Sequence, residues 1–506
     1  MIRKNGWRAG ALLTVVLLFA AVLVFLHCQE EAVWTGAQLL TEQEWAQYTQ
    51  YQYVDLSGQL LLDEEAAPID RTTSTLYITV DAASDPSDWT DGLSIGRGYA
   101  LYLAPDAAFD DPAAAVAQGH RFRLVVANGA ETYMEYGVVF TTLPVLKIDS
   151  DTWDLTAQDK SEHEGGLCLW SVSDPDAGDR GVVSSKLQLH MRGSTTSWMD
   201  KKSWKLSLKT EKGKNNHISL LGLGEDDDWI LNGMQLDDLK LRERLAMDIW
   251  NQMQTGSQNP LNMSTGEYVE LVANGSYQGL YLLQRRVDEK YLELDGDYVL
   301  MKSQNTYTPQ NVREAYELVA ATVNEAQAFA VAEGFFSGAD YGNVDLDSWI
   351  DMMLLVQMGN MEDNRGQKNM FYLWQLEEGA WRVRFIPWDT DMSFGIDMEE
   401  RFVHVPEEVW NKMCIRVEYS GMYGLYPDLD ARIASRWQQL RQGAMSDETI
   451  MGIIETYDTV ICSSGARARD AEKWGLFYSD DTIESLTGFV QNRLGFLDAY
   501  YGAMIQ

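Results

Sequence analysis

The sequence predicts an α+β protein in three parts: an N-terminal transmembrane helix, a small β-sandwich-like unit, and a larger unit mixing strands with long helices. Three observations carry this. An almost wholly apolar run of 18 residues, Ala9–Leu26, follows a basic N-terminus. Residues 31–142 alternate short strand-like runs with turn-rich linkers. After Leu143 the pattern changes to strands interleaved with helical periodicity, and it holds a dense group of carboxylates between Ile350 and Ile396.

Taken in order, Ala9–Leu26 is long enough to span about 27 Å as a helix, close to a hydrocarbon core. Arg3, Lys4 and Arg8 precede it and Glu30 and Glu31 follow, so the positive-inside rule places residues 1–8 in the cytoplasm, 9–27 in the membrane and the bulk outside. A cleaved signal lacks its small-residue site, and a lipoprotein signal at Cys28 would carry His27 where a small residue is wanted. The expected protein is therefore a single-pass, membrane-anchored one with a large extracytoplasmic part.

In residues 31–142 strands are expected over Tyr53–Leu62, Ser74–Asp81, Tyr99–Leu103, His120–Ala127 and Tyr133–Thr142, with Leu60–Leu62 and Leu76–Ile78 flanking a hairpin loop. His120 has no partner at ligand spacing and reads as structural. In residues 143–506, strand Lys186–Met191 leads into the small polar turn Arg192-Gly193-Ser194. Lys201, Lys202 and Lys205 follow. From Trp204 the residues alternate, which puts Trp204, Leu206 and Leu208 on one face and Lys205 on the other. A basic turn feeding such a strand can cradle phosphate. A helix is expected over Leu239–Met253, capped by Asp237 and Asp238, with Arg242 and Arg244 off its apolar stripe. Tyr268–Ala273 and Tyr277–Leu283 read as a hairpin about Asn274-Gly275. Tyr298–Lys302 is a short strand, and helices follow over Asn311–Gly334 and Asp345–Met358. Beyond Val409 helices are expected at Arg432–Gln442, Asp447–Tyr457 and Thr482–Tyr501.

The stretch from Ile350 to Ile396 organises the rest. A helix end at Met358-Gly359-Asn360 gives way to a loop with Glu362 and Asp363, then Asn369. Strands Met370–Leu376 and Trp381–Ile386 follow, and the second ends in Pro387-Trp388-Asp389-Thr390-Asp391. This order can bring Asp363, Asn369, Asp389 and Asp391 to one end of a hairpin. Hard oxygen ligands of that kind suit Mg²⁺ or Mn²⁺ bound with a phosphate.

Composition excludes several classes. With 76 acidic and 40 basic residues the net charge is −36, so nucleic acid is not an expected partner. Four cysteines occur without a CxxC spacing, which argues against zinc and thioredoxin-type redox chemistry. No Walker loop, HExxH or GxSxG is present. The 17 Trp and paired acids leave carbohydrate processing as a weaker competitor.

Six blocks, in order, resemble the spore coat protein H (CotH) kinase family: RGSTTSWMDKKSWKLSL, LLGLGEDDDWILNG, DDLKLRERLAMDIW, YVELVANGSYQGLYLL, GNMEDNRGQKNMFYLW and RFIPWDTDMSFG. The resemblance covers roughly residues 143–500. It implies a divergent protein-kinase-like domain that transfers phosphate from ATP, with Mg²⁺ or Mn²⁺, to Ser or Thr of cell-surface or coat proteins. A catalytically inactive, kinase-like surface protein with a role in envelope assembly is the alternative. Carried over residue by residue, Arg192, Gly193 and Ser194 take the nucleotide-facing turn. Lys205 or Lys202 takes the phosphate lysine, and Arg242 joins the ATP-binding set. Asp363 is the catalytic Asp, or Glu362 takes that place in a register shifted by one, and Asn369, Asp389 and Asp391 are the metal ligands. One departure is Gln284-Arg285-Arg286, where family members often carry an acid.

Overall fold

Strand Ser203–Lys209 follows the alternation read from its sequence: Trp204, Leu206 and Leu208 are buried while Lys205, Ser207 and Lys209 are half-buried. The same rule, applied around a ring, closes a barrel. In a computed structural model its strands run in the order Val145–Asp149, His163–Ser171, Gly181–Arg192, Ser203–Lys209, Asp228–Asn232, Ser276–Arg285 and Gly266–Ala273, and the last pairs parallel with the first. The structure describes residues 34–504 apart from 49–54, 97, 130, 157, 159, 173–179, 194, 258–259, 305–308, 339–340, 362, 365–368, 397–418 and 479. The expected membrane helix Ala9–Leu26 lies outside the described residues. Among the described residues no helix is long and apolar enough to cross a membrane.

Residues facing into the barrel, such as Leu146, Leu169, Leu206 and Leu231, form its core. Alternation sends Cys168 and Trp170 the other way, into the core of the N-terminal unit with Leu62, Leu76 and Phe140. That unit has a four-stranded and a six-stranded sheet. Its core is thus completed by two residues of the barrel. Trp170 Nε1 donates to the Leu62 carbonyl at 3.2 Å, and Tyr77 stacks on Tyr277 with centroids 4.4 Å apart.

Several expected elements differ. Only Leu61–Leu62 of the expected strand Tyr53–Leu62 is a described strand, because Ser57–Gln59 makes a 3₁₀ turn. The hairpin expected between Leu60–Leu62 and Leu76–Ile78 does not form: the two runs lie in different sheets, Leu61–Leu62 pairing with Glu65–Ala66 and Thr75–Thr79 with the Glu131–Thr141 strand. The helix expected over Asn311–Gly334 is split by strand Tyr316–Ala321, which pairs with Tyr298–Ser303. Ala-rich sequence favours helix, but the open sheet edge captures this segment. His120 is held by Asp106 at 2.8 Å, as a structural residue would be.

Tyr316–Ala321, Tyr298–Ser303, Met370–Glu377 and Ala380–Pro387 form a second, antiparallel sheet. Helix Leu346–Gly359, almost wholly buried, packs on it and joins it to helices Leu429–Leu440, Asp447–Ser463 and Ile483–Ala503 in one large core. A smaller apolar cluster, Ile230 and Leu261 with Leu300, Phe371, Ile386 and Trp388, joins barrel to sheet. The candidate site residues Asn369 and Asp389 adjoin this seam through Trp388.

Candidate active site

Strand Met370–Glu377 begins and strand Ala380–Pro387 ends at the same level, so Asn369 and Trp388 are brought together by the hairpin register: Met370 pairs with Pro387, and Trp388 N–H donates to the Asn369 carbonyl at 3.0 Å. Both hairpin ends are then pinned to the loop after helix Leu346–Gly359. The Asn364 side-chain amide donates to the carbonyls of Asn369 and Trp388, each at 2.8 Å. Asn369 donates to an Asp363 carboxylate oxygen at 3.3 Å and to the Asp389 carbonyl at 3.4 Å. The expected convergence of Asp363, Asn369 and Asp389 is what the fold builds. Glu362 lies outside the described residues.

Backbone conformation marks the same place. Asn360, Asn369 and Asp389 have φ of 50°, 54° and 55°. Short polar side chains such as Asn and Asp enter the left-handed region readily.

The cleft between barrel and sheet has a volume of ≈ 570 Å³ and is lined by Lys160, Arg192, Gly193, Lys205 and Arg286 from the barrel unit, by Lys302 and Glu317 from the sheet, and by Asn369 and Asp389. Met191, Ile230, Val319 and Phe371 supply apolar lining. The turn Arg192-Gly193 is tied down by Lys160, whose amine donates to the Gly193 carbonyl at 2.9 Å, and Gly193 has a φ of 99° that suits glycine. Ser194 lies outside the described residues. Lys205 faces the cleft with Asp228 at 3.2 Å, and Arg286 holds the same Asp228 at 2.9 Å. The departure Gln284-Arg285-Arg286 therefore adds a cation to the cleft.

Two residues expected in the nucleotide site are placed elsewhere. Lys202 is buried, and its amine donates to the Ser197 carbonyl at 3.2 Å and to that of Met199. It staples the turn and does not line the cleft. Arg242, expected off the apolar stripe of its helix, is fully buried. It pairs with Asp237 at 2.6 Å and Asp481 at 2.8 Å and donates to the Ser393 carbonyl at 3.1 Å. It anchors the loop after Asp391 from behind. Asp237 accepts from Arg242 N–H at 2.7 Å, so this acid does meet the helix start, while Asp238 accepts from Phe477 N–H at 2.8 Å and from Tyr478 N–H.

The sequence reading missed Lys302 and Glu243. Lys302 reaches the cleft from strand Tyr298–Ser303 and lies over the Trp388 ring at 5.2 Å, as Arg192 does at 5.2 Å. Burial, and then the charge of Arg192, push its amine down to about 8. Its signal in the sequence was a cation in an otherwise apolar strand, Tyr298-Val299-Leu300-Met301-Lys302. Glu243, on helix Arg242–Met253, accepts from Thr390 N–H at 2.6 Å and from the Thr390 hydroxyl at 2.9 Å. Burial, and then Asp389, push its carboxyl up to about 7. Asp391 is buried, and burial followed by the charges of Asp389 and Glu243 raises it well above the carboxylate range.

These residues fit a metal–nucleotide ligand. A cationic wall suits a polyphosphate, the apolar strip suits a planar base, and the buried carboxylates suit a hard divalent cation. Two other clusters do not. His217, Asp226 and Asp227 bring ligand atoms within 4.8 Å of one another, but Lys290 already bonds both acids at 3.0 and 2.7 Å, and Arg285 bonds Asp226 at 2.9 Å. A cleft of ≈ 700 Å³ lies at the far end of helix Leu346–Gly359, where its charges are closed by pairs such as Arg436–Asp351 and Arg384–Asp345.

The family model described as CotH kinase protein matches residues 189–497. No curated protein matches the chain.

Proposed function

The chain belongs to the CotH kinase family, and from that premise we propose that it transfers phosphate from ATP to Ser or Thr of a protein substrate with the help of Mg²⁺ or Mn²⁺. When bound, the nucleotide supplies the phosphoryl group and the cation neutralises charge on its oxygens. Every other part falls to this chain's residues. Arg192, Lys205, Arg286 and Lys302 offset phosphate charge from the lining of the cleft. Asp389 and Asp391 hold the cation. Asp363, positioned by Asn369, orients the acceptor hydroxyl and takes its proton.

The observation that carries this reading is that Arg192, Lys205, Arg286 and Lys302 line one cleft with Asn369 and Asp389, and that Asn369 in turn bonds Asp363. Such chemistry depends on positioning and electrostatics. The protein is proposed to act at the outer face of the cell membrane, tethered by Ala9–Leu26. Calorimetric titration of the purified protein with ATP and Mn²⁺ tests the first claim: cation-dependent binding supports it, and absence of nucleotide binding overturns it. Binding without transfer to any offered protein or to itself would assign the alternative, non-catalytic role. Protease treatment of intact cells tests the second. Digestion of the large part supports an external location, and protection until the membrane is broken reverses it.

A further inference from the structure

Glu243 sits beneath the Asp389-Thr390-Asp391 turn and is 1% exposed. One carboxylate oxygen, Oε2, accepts both bonds from Thr390. The other, Oε1, is buried and has no hydrogen-bond partner. Its neighbour in sequence is a contrast: Arg242 reaches two carboxylates and a carbonyl from the same helix turn. A buried carboxylate oxygen without a donor is costly and calls for one that the polypeptide does not supply. Asp389 is the strongest like charge acting on both Glu243 and Asp391, with Arg192 partly offsetting it at Glu243, so a donor that also brings positive charge suits the site.

Direct ligation by all three acids is not the arrangement built here. Among the described residues, Glu243, Asp389 and Asp391 do not form a trio with ligand atoms within 4.8 Å. Mg²⁺ and Mn²⁺ sites of this class retain water, and a cation-bound water donates strongly to a nearby carboxylate. We propose that Glu243 holds the divalent cation of Asp389 and Asp391 through a cation-bound water accepted at Oε1. The inference rests on the reading that Asp389 and Asp391 take the cation. Glu243 is then a positioning residue with two tasks: Oε2 fixes the turn, and Oε1 fixes the water. With three carboxylates acting on it, the site binds its cation before nucleotide arrives.

The experiment is Mn²⁺ titration of the nucleotide-free protein by calorimetry, comparing wild type, E243Q, T390V and D389N. Glutamine keeps an oxygen for Thr390 but removes the charge. Valine at 390 removes the hydroxyl bond and leaves the carboxylate in place. E243Q is expected to weaken Mn²⁺ binding about 10–100-fold, the usual scale for groups that act through a metal's ligands. T390V is expected to weaken it by less than about threefold. Unchanged affinity in E243Q overturns the proposal, because glutamine is the isostere of a protonated, uninvolved Glu243. An equal loss in T390V also overturns it, since holding the turn would then be the whole role. If E243Q does not fold, E243D keeps the charge and withdraws both oxygens: a fall in affinity well beyond that of T390V supports the water bridge, and wild-type affinity overturns it. A separate result addresses the underlying reading. If wild type and D389N alike bind no Mn²⁺, with or without ATP, the cation assignment of Asp389 and Asp391 fails first.

Discussion

Two adjacent residues on one helix, Arg242 and Glu243, anchor two buried charge clusters of opposite character. At Arg242 the cluster is closed. All four carboxylate oxygens of Asp237 and Asp481 accept from its backbone or guanidinium N–H groups. At Glu243 it is open. Asp389, Asp391 and Glu243 press their charges together, and among the described residues no Lys or Arg forms an ion pair with any of them. On the proposed function, the difference separates charge that holds the fold from charge that takes a cation. A closed cluster is complete in the folded chain, whereas an open one is completed by something that binds.

Asp389→Asn keeps shape and removes charge at the open cluster, so phosphate transfer should fall by on the order of 10³-fold and cation-dependent ATP binding should be lost. A kinase assay and calorimetry read both. Arg242→Ala opens the closed cluster by stranding Asp237 and Asp481, and urea unfolding should show a loss of about 3–5 kcal/mol. Unchanged stability would mean that these carboxylates shed their charge by protonation. Asp363→Asn should spare ATP binding and lower transfer by about 10²-fold. Survival of transfer in that variant, with loss in Glu362→Gln, would shift the catalytic register by one residue.

Two smaller effects sharpen the contrast. The Lys302 amine is displaced downward, from 10.5 to about 8. Between those values the unfolded chain holds a proton that the folded one does not, so Lys302 makes the free protein's stability rise with pH across that window. Nucleotide binding has the opposite sign. It needs the cation, so affinity should fall as pH rises through about 8, by roughly tenfold, and Lys302→Met should flatten the profile. Finally, Asp391→Asn removes one of the repelling charges from the open cluster. The cation-free protein should become more stable by roughly 1–2 kcal/mol and lose its stabilisation by Mn²⁺, as thermal melts with and without the ion would show.

Much of the site was legible because it is local. Asp363, Asn369, Asp389 and Asp391 lie on one helix end and one hairpin, and the hairpin's register alone brings Asn369 and Trp388 together. Lys205 was legible too, because alternation along a strand assigns its face. Lys202 and Lys205 are distinguished only where the strand begins: Lys202 stands in the turn before it, where alternation does not apply. The segment Tyr316–Ala321 was misread because an Ala-rich run has a helical preference smaller than the benefit of pairing with a sheet edge.

By itself the sequence determined the mixed α+β character, the helix-to-hairpin frame of the carboxylates and the family resemblance, all of which rest on periodicity and short-range order. Tertiary structure alone decided which charges are closed. Arg242 meets Asp481 across 239 residues, and Glu243 meets Thr390 across 147. No local pattern carries that information, because the energy of a buried charge depends on what the rest of the fold places beside it.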